Sequence, residues 1–525
     1  MTQLKTYLSK KRKKNILLAM AFLVMLVASG LGSQVSLSSF LRGLPDMLDL
    51  VRRMFTLDFS YIVSVMDLLF ETFLMAFVSS AFGVFLASLI TFFLPYNTSP
   101  SQIVSKVLSA VFSVFRTLPS LIWAALLVSF FSAGRFSGLL ALSIISFFMS
   151  TKLIKEYIEA MDKDDFDFYK SLGIGKGKIY YKIILTKMRK FIVSTFLLCL
   201  ESNIRSASIL GLVGAGGIGQ RLWLELNHMN YDRVSSIIFM LLILIFLIDL
   251  VSQKIREIDI KSPINVNNLT LYKKSNILRE ILFIIFLIAL FLIIKFSINI
   301  TYERFTLGLK QGGVIIRKII SPDLAYLSRA VPAAFESAAI AIFASLMGAI
   351  VSFIFTPFTA VNIAPSKKVS VLFKVLINVI RTFPAIISAI IFFRGLGPGP
   401  FAGALALSVY TSGMLSKLYF EYIEDIPAET IMSMKALGLS PFTMYAKIIY
   451  PKTYRSFLGF VLYRLESNVR NSSILGLIGA GGIGTLLSMN IAWRNWNRVG
   501  SLLLVSSIMI IFFDYLSSTI RKKLL

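Results

Sequence analysis

Residues Glu201–Gly219 read ESNIRSASILGLVGAGGIG, and residues Glu466–Gly484 read ESNVRNSSILGLIGAGGIG. The second stretch begins 265 residues after the first, and 15 of 19 positions are identical. A segment written twice at a fixed offset constrains the fold to two copies of one unit. Each copy sets a Glu, an Asn and an Arg beside an apolar run and then ends in a glycine cluster. Ionisable groups among apolar residues are costly in a membrane and carry a job where they are found.

The surroundings are those of a membrane. Of the 525 residues, 56% are hydrophobic and 15% charged, against about 45–50% and about 25% in soluble domains. Mean hydropathy is +0.78, and apolar runs of spanning length recur, which predicts a polytopic membrane protein. The net charge of +27 lies in short loops, where it reads as the bias that holds basic loops inside, next to anionic lipid. No basic patch interleaved with exposed aromatics is present, so nucleic acid is not an expected partner. Cys199 and His228 are the only residues of their kinds. That excludes a disulfide framework, a cysteine or histidine metal cluster and histidine-based catalysis. His228 reads as a loop residue, since position 493 in the other copy is Trp493.

The repeats keep one offset without a gap. Glu71-Thr72 matches Glu336-Ser337, Arg116-Thr117 matches Arg381-Thr382, and Pro119 matches Pro384. Gly173 matches Gly438, Arg233 matches Arg498, Asp249 matches Asp514, and Arg256 matches Arg521. Apolar segments are expected near 68–94, 103–131, 137–150, 191–213 and 234–251, and again near 333–357, 368–396, 402–415, 456–478 and 499–516. The run Ile16–Leu31, after the basic cluster Lys10–Lys14, reads as a retained first span. Its counterpart Ile281–Ile294 lies in mid-chain, where no cleaved signal can be.

The expected fold is an all-α integral membrane protein of about 12 transmembrane helices in two parallel six-helix halves. The first half is residues 1–262 with a polar, basic block at 152–190; the second is 263–525 with its block at 417–455. Charge places both blocks, the linker and both termini on the cytoplasmic side. An even number of spans makes the halves parallel, related by an axis along the membrane normal. Arg42, Arg52 and Arg53 would then lie outside, against the rule, but the block 152–190 is much richer in lysine.

Three constellations are candidates for function. On a helix Glu201, Arg205 and Ser208 share one face, as do Glu466, Arg470 and Ser473. Helical rise from the start of the span puts them about 15–22 Å in, near mid-bilayer. Each pair reads either as a structural ion pair or as the cationic lining of a solute path, with Asn203 and Asn468 beside it. An arginine fork suits phosphate-like groups. The glycines Gly214, Gly216, Gly217 and Gly219, with Gly479, Gly481, Gly482 and Gly484, fit a tight turn or a gate. A dinucleotide loop would need a preceding strand, and an apolar span precedes this one. The blocks carry Gly173, Ile183 and Leu185, matched by Gly438, Ile448 and Pro451, a pattern suited to short helices joined at glycine and docking a partner. No GxxxxGK[ST] loop occurs, so any ATPase is another polypeptide.

At these residues the chain resembles the permease of a phosphonate ABC importer, the PhnE family of binding-protein-dependent, MetI-like permeases, with two copies fused in tandem. The resemblance rests on E-S-N-[IV]-R followed by GL[VI]GAGGIG, twice, with the G-x9-I-x-[LY]-P coupling pattern. It is firmest over 67–256 and 332–521. It implies the type I ABC importer fold and two ATP-binding cassette subunits docked at the coupling blocks. It also implies an extracytoplasmic solute-binding protein for a phosphonate or phosphate-type anion. ATP and Mg would be bound by the partners, with no cofactor in this chain, and fusion removes the need for a homodimer. The implied setting is a bacterial cell membrane. Two departures stand out. The Glu-Ala-Ala of the coupling motif is replaced by Asp167-Phe168-Tyr169 and Met432-Ser433-Met434, and its proline is Thr186 in the first copy.

The chain therefore reads as a transport pore subunit without covalent chemistry, working by alternating access. An ion-coupled secondary transporter of a small organic anion is the alternative. It would need titratable carboxylates in the path, whereas Glu201 and Glu466 each have an arginine one turn away. A membrane-embedded lipid transferase lacks the required histidine, cysteine or carboxylate cluster.

Overall fold

A computed structural model of the chain describes residues 20, 22–161, 163–261, 301–382, 385–436, 438–476 and 478–524. The second first-span candidate, Ile281–Ile294, lies outside them. The described residues are helical, with no strand among them. The principal helices of the first repeat are α1 (Phe22–Gly32), α2 (Leu37–Arg53), α3 (Met66–Ile90), α4 (Gln102–Thr117), α5 (Ser120–Phe131) and α6 (Arg135–Glu159). They continue as α7 (Lys163–Ser171), α8 (Arg189–Leu210), α9 (Gly217–Asn227) and α10 (Tyr231–Lys261). The second repeat gives α11 (Tyr302–Ile320), α12 (Leu327–Thr359), α13 (Lys367–Thr382), α14 (Ala385–Leu396) and α15 (Pro400–Glu424). It ends with α16 (Ala428–Ala436), α17 (Tyr450–Gly476), α18 (Gly482–Ala492) and α19 (Trp496–Leu524).

Among the described residues 5 helices are long and apolar enough to cross a membrane, or up to 8 if each bent pair is one span. The all-helical expectation is met among the described residues, and two features keep some of their apolar segments from passing as single unbroken spans. The apolar stretch 103–131 is not one rod. Pro119 is extended at φ −60° and ψ 150°, and α4 and α5 meet at 86°; proline has no N–H to continue the ladder and forces the preceding residue out of the helix. The pair α13 and α14 bends by 84°. Helices α8 and α17 fail the apolar test although they have 22 and 27 residues, because the Glu–Asn–Arg stripe runs through them.

Packing groups the described residues into two compact units, one from within Met1–Arg52 and Lys318–Leu525, the other from within Arg53–Arg317. Compactness thus does not follow the division of the repeats at 262. In the first unit, α2 meets α14 backbone to backbone at Gly43 and Gly395, where neither residue has room for a Cβ. In the other unit, α11 lies on α5, with Phe305 stacked on Phe131 at 5.8 Å and Gly312 against the Phe130 ring. Within each unit a long pair forms the spine, α3 on α6 and α12 on α15. Hydroxyls inside these helices bond the preceding turn, as Ser80 Oγ does to Ala76 O and Ser345 Oγ to Ala341 O, each at 2.7 Å. Such bonds keep small polar groups satisfied where water is absent.

Candidate functional site

Both copies of the repeated stripe fold into the same local site. On α8, Arg205 Nη2 donates to Glu201 Oε1 at 2.6 Å; on α17, Arg470 Nη2 donates to Glu466 Oε1 at 2.7 Å. The carboxylates are buried, with side chains 8% and 4% exposed, while the arginines retain 19% and 22%. One turn of helix brings the groups together, and burial leaves the guanidinium as the part that can meet a solute. Glu466 has a further cation, Arg521 Nη2 at 3.8 Å, in the last turn of α19. That contact joins the second pair to the C-terminal turn of α19.

Asn203 and Asn468 are buried clamps. Asn203 Nδ2 donates to Ser80 Oγ at 2.8 Å and Ser146 Oγ at 2.6 Å, tying α8 to α3 and α6. Asn468 Nδ2 donates to Ser345 Oγ and Thr411 Oγ1, both at 2.9 Å, tying α17 to α12 and α15. Buried amides joined to hydroxyls of two neighbouring helices fix the position of the stripe. Ser208 Oγ bonds Arg205 O at 2.7 Å; the Ser473 hydroxyl is buried without a hydrogen bond.

The glycine clusters form turns. Gly214, Gly216 and Gly217 have φ of +80°, +81° and +70°, and Gly479, Gly481 and Gly482 have +99°, +78° and +69°, a region open to glycine at little cost. The turn reverses the chain so that α9 packs back on α8, and α18 on α17. At Gly219 and Gly484 an added Cβ would strike the Ser208 and Ser473 carbonyls. Each turn is pinned from outside by the repeat anchors. Ile218 N donates to Thr72 Oγ1 at 2.8 Å and Ile483 N to Ser337 Oγ at 2.9 Å. Glu336 also accepts from Gly482 N at 3.1 Å, whereas Glu71 pairs with Arg135 at 2.7 Å.

The polar blocks carry short helices joined at glycine. Gly173 and Gly438, at φ +72° and +68°, stop α7 and α16, and a π-helical turn follows in each block, Ile179–Ile184 and Tyr445–Ile449. Ile183 lies in the first turn and Ile448 in the second. Leu185 packs partly buried beside Tyr180 and Met188, and Ile448 beside Tyr445 and Phe457. Pro451 is exposed in the first turn of α17, where its missing N–H costs nothing. Phe168 and Leu172 in the first block, and Met432 in the second, are exposed.

One cluster escaped the sequence reading. Glu225, on α9, accepts from Tyr61 Oη at 3.0 Å and Asn230 Nδ2 at 2.7 Å and pairs with Arg221 at 3.0 Å. Burial alone would raise its carboxyl pKa; bonds from Asn230 and Tyr61 and the charges of Arg221 and Arg233 outweigh that and hold it below the usual range. Asp58 is likewise lowered, first by the Ser60 hydroxyl and then by the Tyr61 N–H. The second repeat has Asn490 in place of Glu225, donating to Tyr326 Oη at 3.0 Å. The signal available in sequence was this mismatch between copies.

The repeated architecture has relatives among known proteins. The family model described as "Binding-protein-dependent transport system inner membrane component" matches residues 83–256 and 348–524. A phosphate-import permease protein, PhnE, of Mycolicibacterium smegmatis is 28% identical over 466 residues, covering 86% of this chain and 84% of that one. A phosphite transport system permease protein, PtxC, of Stutzerimonas stutzeri is 28% identical over 215 residues, 41% of this chain and 78% of its own. The two matches together span more than half of the chain and fall one on each repeat, so the chain belongs to the binding-protein-dependent transport system inner membrane components, carried here as two copies in one polypeptide.

Proposed function

We propose that this chain forms the membrane path of an ATP-driven importer for phosphate, phosphonate or a related tetrahedral oxyanion. The observation that supports it most is the twinned Glu–Arg pair: two equivalent arginines, each partly exposed and each held by a buried carboxylate. The names of the relatives, for phosphate and for phosphite, point to the same chemistry. Arg205 and Arg470 attract the anion with a planar fork; Glu201 and Glu466 orient those forks and keep affinity low enough for release. A solute-binding protein delivers the anion from outside. Two ATPase subunits, which bind ATP and Mg, dock at the blocks 152–190 and 417–455 on the cytoplasmic side, where both termini also lie. Their closure moves the short helices and shifts the permease between its two access states.

The test is uptake in a strain lacking its own transporters for these anions. Arg205→Ala and Arg470→Ala should each abolish uptake of phosphate, phosphite and methylphosphonate while the complex still assembles. Glu466→Gln with Arg470→Met, which removes both charges of the pair together, should assemble and still fail to transport. Normal uptake by both single variants retires the site assignment. Uptake that survives ATPase inactivation but stops on collapse of the proton gradient retires the ATP-driven reading.

A further inference from the structure

Arg464 is a buried cation without an anionic partner among the described residues. It lies on α17, two residues before Glu466, with 6% of its surface exposed. Its guanidinium sits 5.2 Å from the centroid of the Tyr410 ring on α15. Neither Nε nor Nη2 makes a hydrogen bond, and both are closed to solvent. Those two nitrogens form one edge of the guanidinium, the edge that presents two parallel N–H groups to a carboxylate or phosphate. A cation over an aromatic face recovers only part of what burial takes from it. A guanidinium kept in an apolar helix bundle with its two-donor edge unused therefore points to a partner that comes and goes.

The first repeat has no arginine at this position. At the matching offset stands Cys199, buried and uncharged. The neighbourhood differs in the same sense. In the first repeat Phe148 stacks on Trp123 at 6.1 Å and meets Phe147 at 5.2 Å. The matching positions of the second are Gly413, Ser388 and Ser412. Gly413 lets α13 close on α15, where an added Cβ would lie 3.0 Å from Arg381 N. Arg381 has its counterpart at Arg116 in the first repeat, so at this point the repeats differ in side-chain bulk and not in that charge. Where the first repeat carries an aromatic plug, the second carries small residues and, on α17, the buried Arg464.

We propose that Arg464 is an anion-binding residue that only the second repeat supplies. It takes a tetrahedral oxyanion on its Nε–Nη2 edge when α15 and α17 part during the transport cycle. The path is then chemically one-sided despite its repeated sequence. The proposal rests on the importer reading above and adds a residue to it.

The test uses the permease assembled with its ATPase subunits in lipid nanodiscs and liposomes, with its binding protein supplied. Uptake of phosphate, phosphite and methylphosphonate is measured with basal ATP hydrolysis. Arg464→Gln should lower kcat/KM for the transported anion about tenfold or more, the loss expected for a charge-assisted two-donor contact, with basal hydrolysis unchanged. Tyr410→Leu, which removes the ring contact alone, should stay within about twofold of wild type. Equal losses in the two variants would make Arg464 a packing residue and overturn the proposal. A change of less than about twofold in Arg464→Gln overturns it as well. Should that variant not assemble, Arg464→Lys decides, since it keeps the charge and loses the paired donors: a raised KM supports the proposal and an unchanged KM overturns it. Failure of the wild type to take up any of the three anions overturns the importer reading itself, and this proposal with it.

Discussion

Gly482 gives the sharpest check on the geometry of the glycine turns. It has φ +69°, and an alanine Cβ there would fall on Ser337 Oγ. That hydroxyl accepts from Ile483 N at 2.9 Å, so it can rotate away only by releasing a buried N–H. Gly482→Ala therefore combines about 1–2 kcal/mol for a left-handed alanine with about 1–3 kcal/mol for the orphaned N–H, some 2–5 kcal/mol in all. Ser337→Ala removes the acceptor without touching the glycine and loses only the second part. The double variant loses strain plus the same single bond, so the two effects share a component. A double-mutant cycle should show a coupling of about 1–3 kcal/mol, the double variant being more stable than the sum of the singles predicts. Reversible unfolding by SDS titration in mixed micelles supplies the three free energies. Singles that add to within about 0.5 kcal/mol would refute the claim that one hydroxyl pins the turn.

Two further expectations follow from the site. Asn468→Leu leaves the Ser345 and Thr411 hydroxyls without their shared donor. It should destabilise the permease by about 1–3 kcal/mol in the same titration, and assembled protein should keep the wild-type KM for phosphate; a shifted KM would make Asn468 a solute contact instead. Glu225 titrates below its ordinary value of 4.5 when folded. Its stabilisation is therefore complete above that ordinary value and disappears as pH falls through the depressed one. Glu225→Gln should flatten the loss of thermal stability as pH falls below that ordinary value, whereas an unchanged acid limb would show that the carboxylate is not charged there.

Much of this architecture was legible because duplication doubled every signal. The stripe Glu201–Arg205 and its twin declared both helical spacing and ion pairing, since residues four apart on a helix must meet. The glycine turns were legible as turns, because several glycines in six residues cannot continue a helix cheaply. The bends at α4–α5 and α13–α14 were not, although Pro119 stood in view: hydropathy averages across a break and sees one apolar run. The clamps made by Asn203 and Asn468 depend on serines and threonines more than fifty residues away, a long-range pairing that no local pattern carries. Glu71-Thr72 and Glu336-Ser337 stood out as matched positions, yet their partners, the N–H groups of the glycine turns, exist only once the chain has folded back. Arg464 hid for the opposite reason, since a search for what the repeats share passes over a residue that one of them lacks.

The exchange of helices between the repeats bears on how such a chain can be divided. Most of α2 belongs to the compact unit built from the second repeat, and most of α11 to the unit built from the first. A polypeptide severed between residues 261 and 301 would yield two fragments, neither owning every helix its own folded body requires. Each would have to borrow from its sibling during synthesis, so the fragments should accumulate only when made in the same cell. The covalent joint thus guarantees, at one-to-one stoichiometry, a loan of helices that separate subunits would have to find by diffusion in the bilayer.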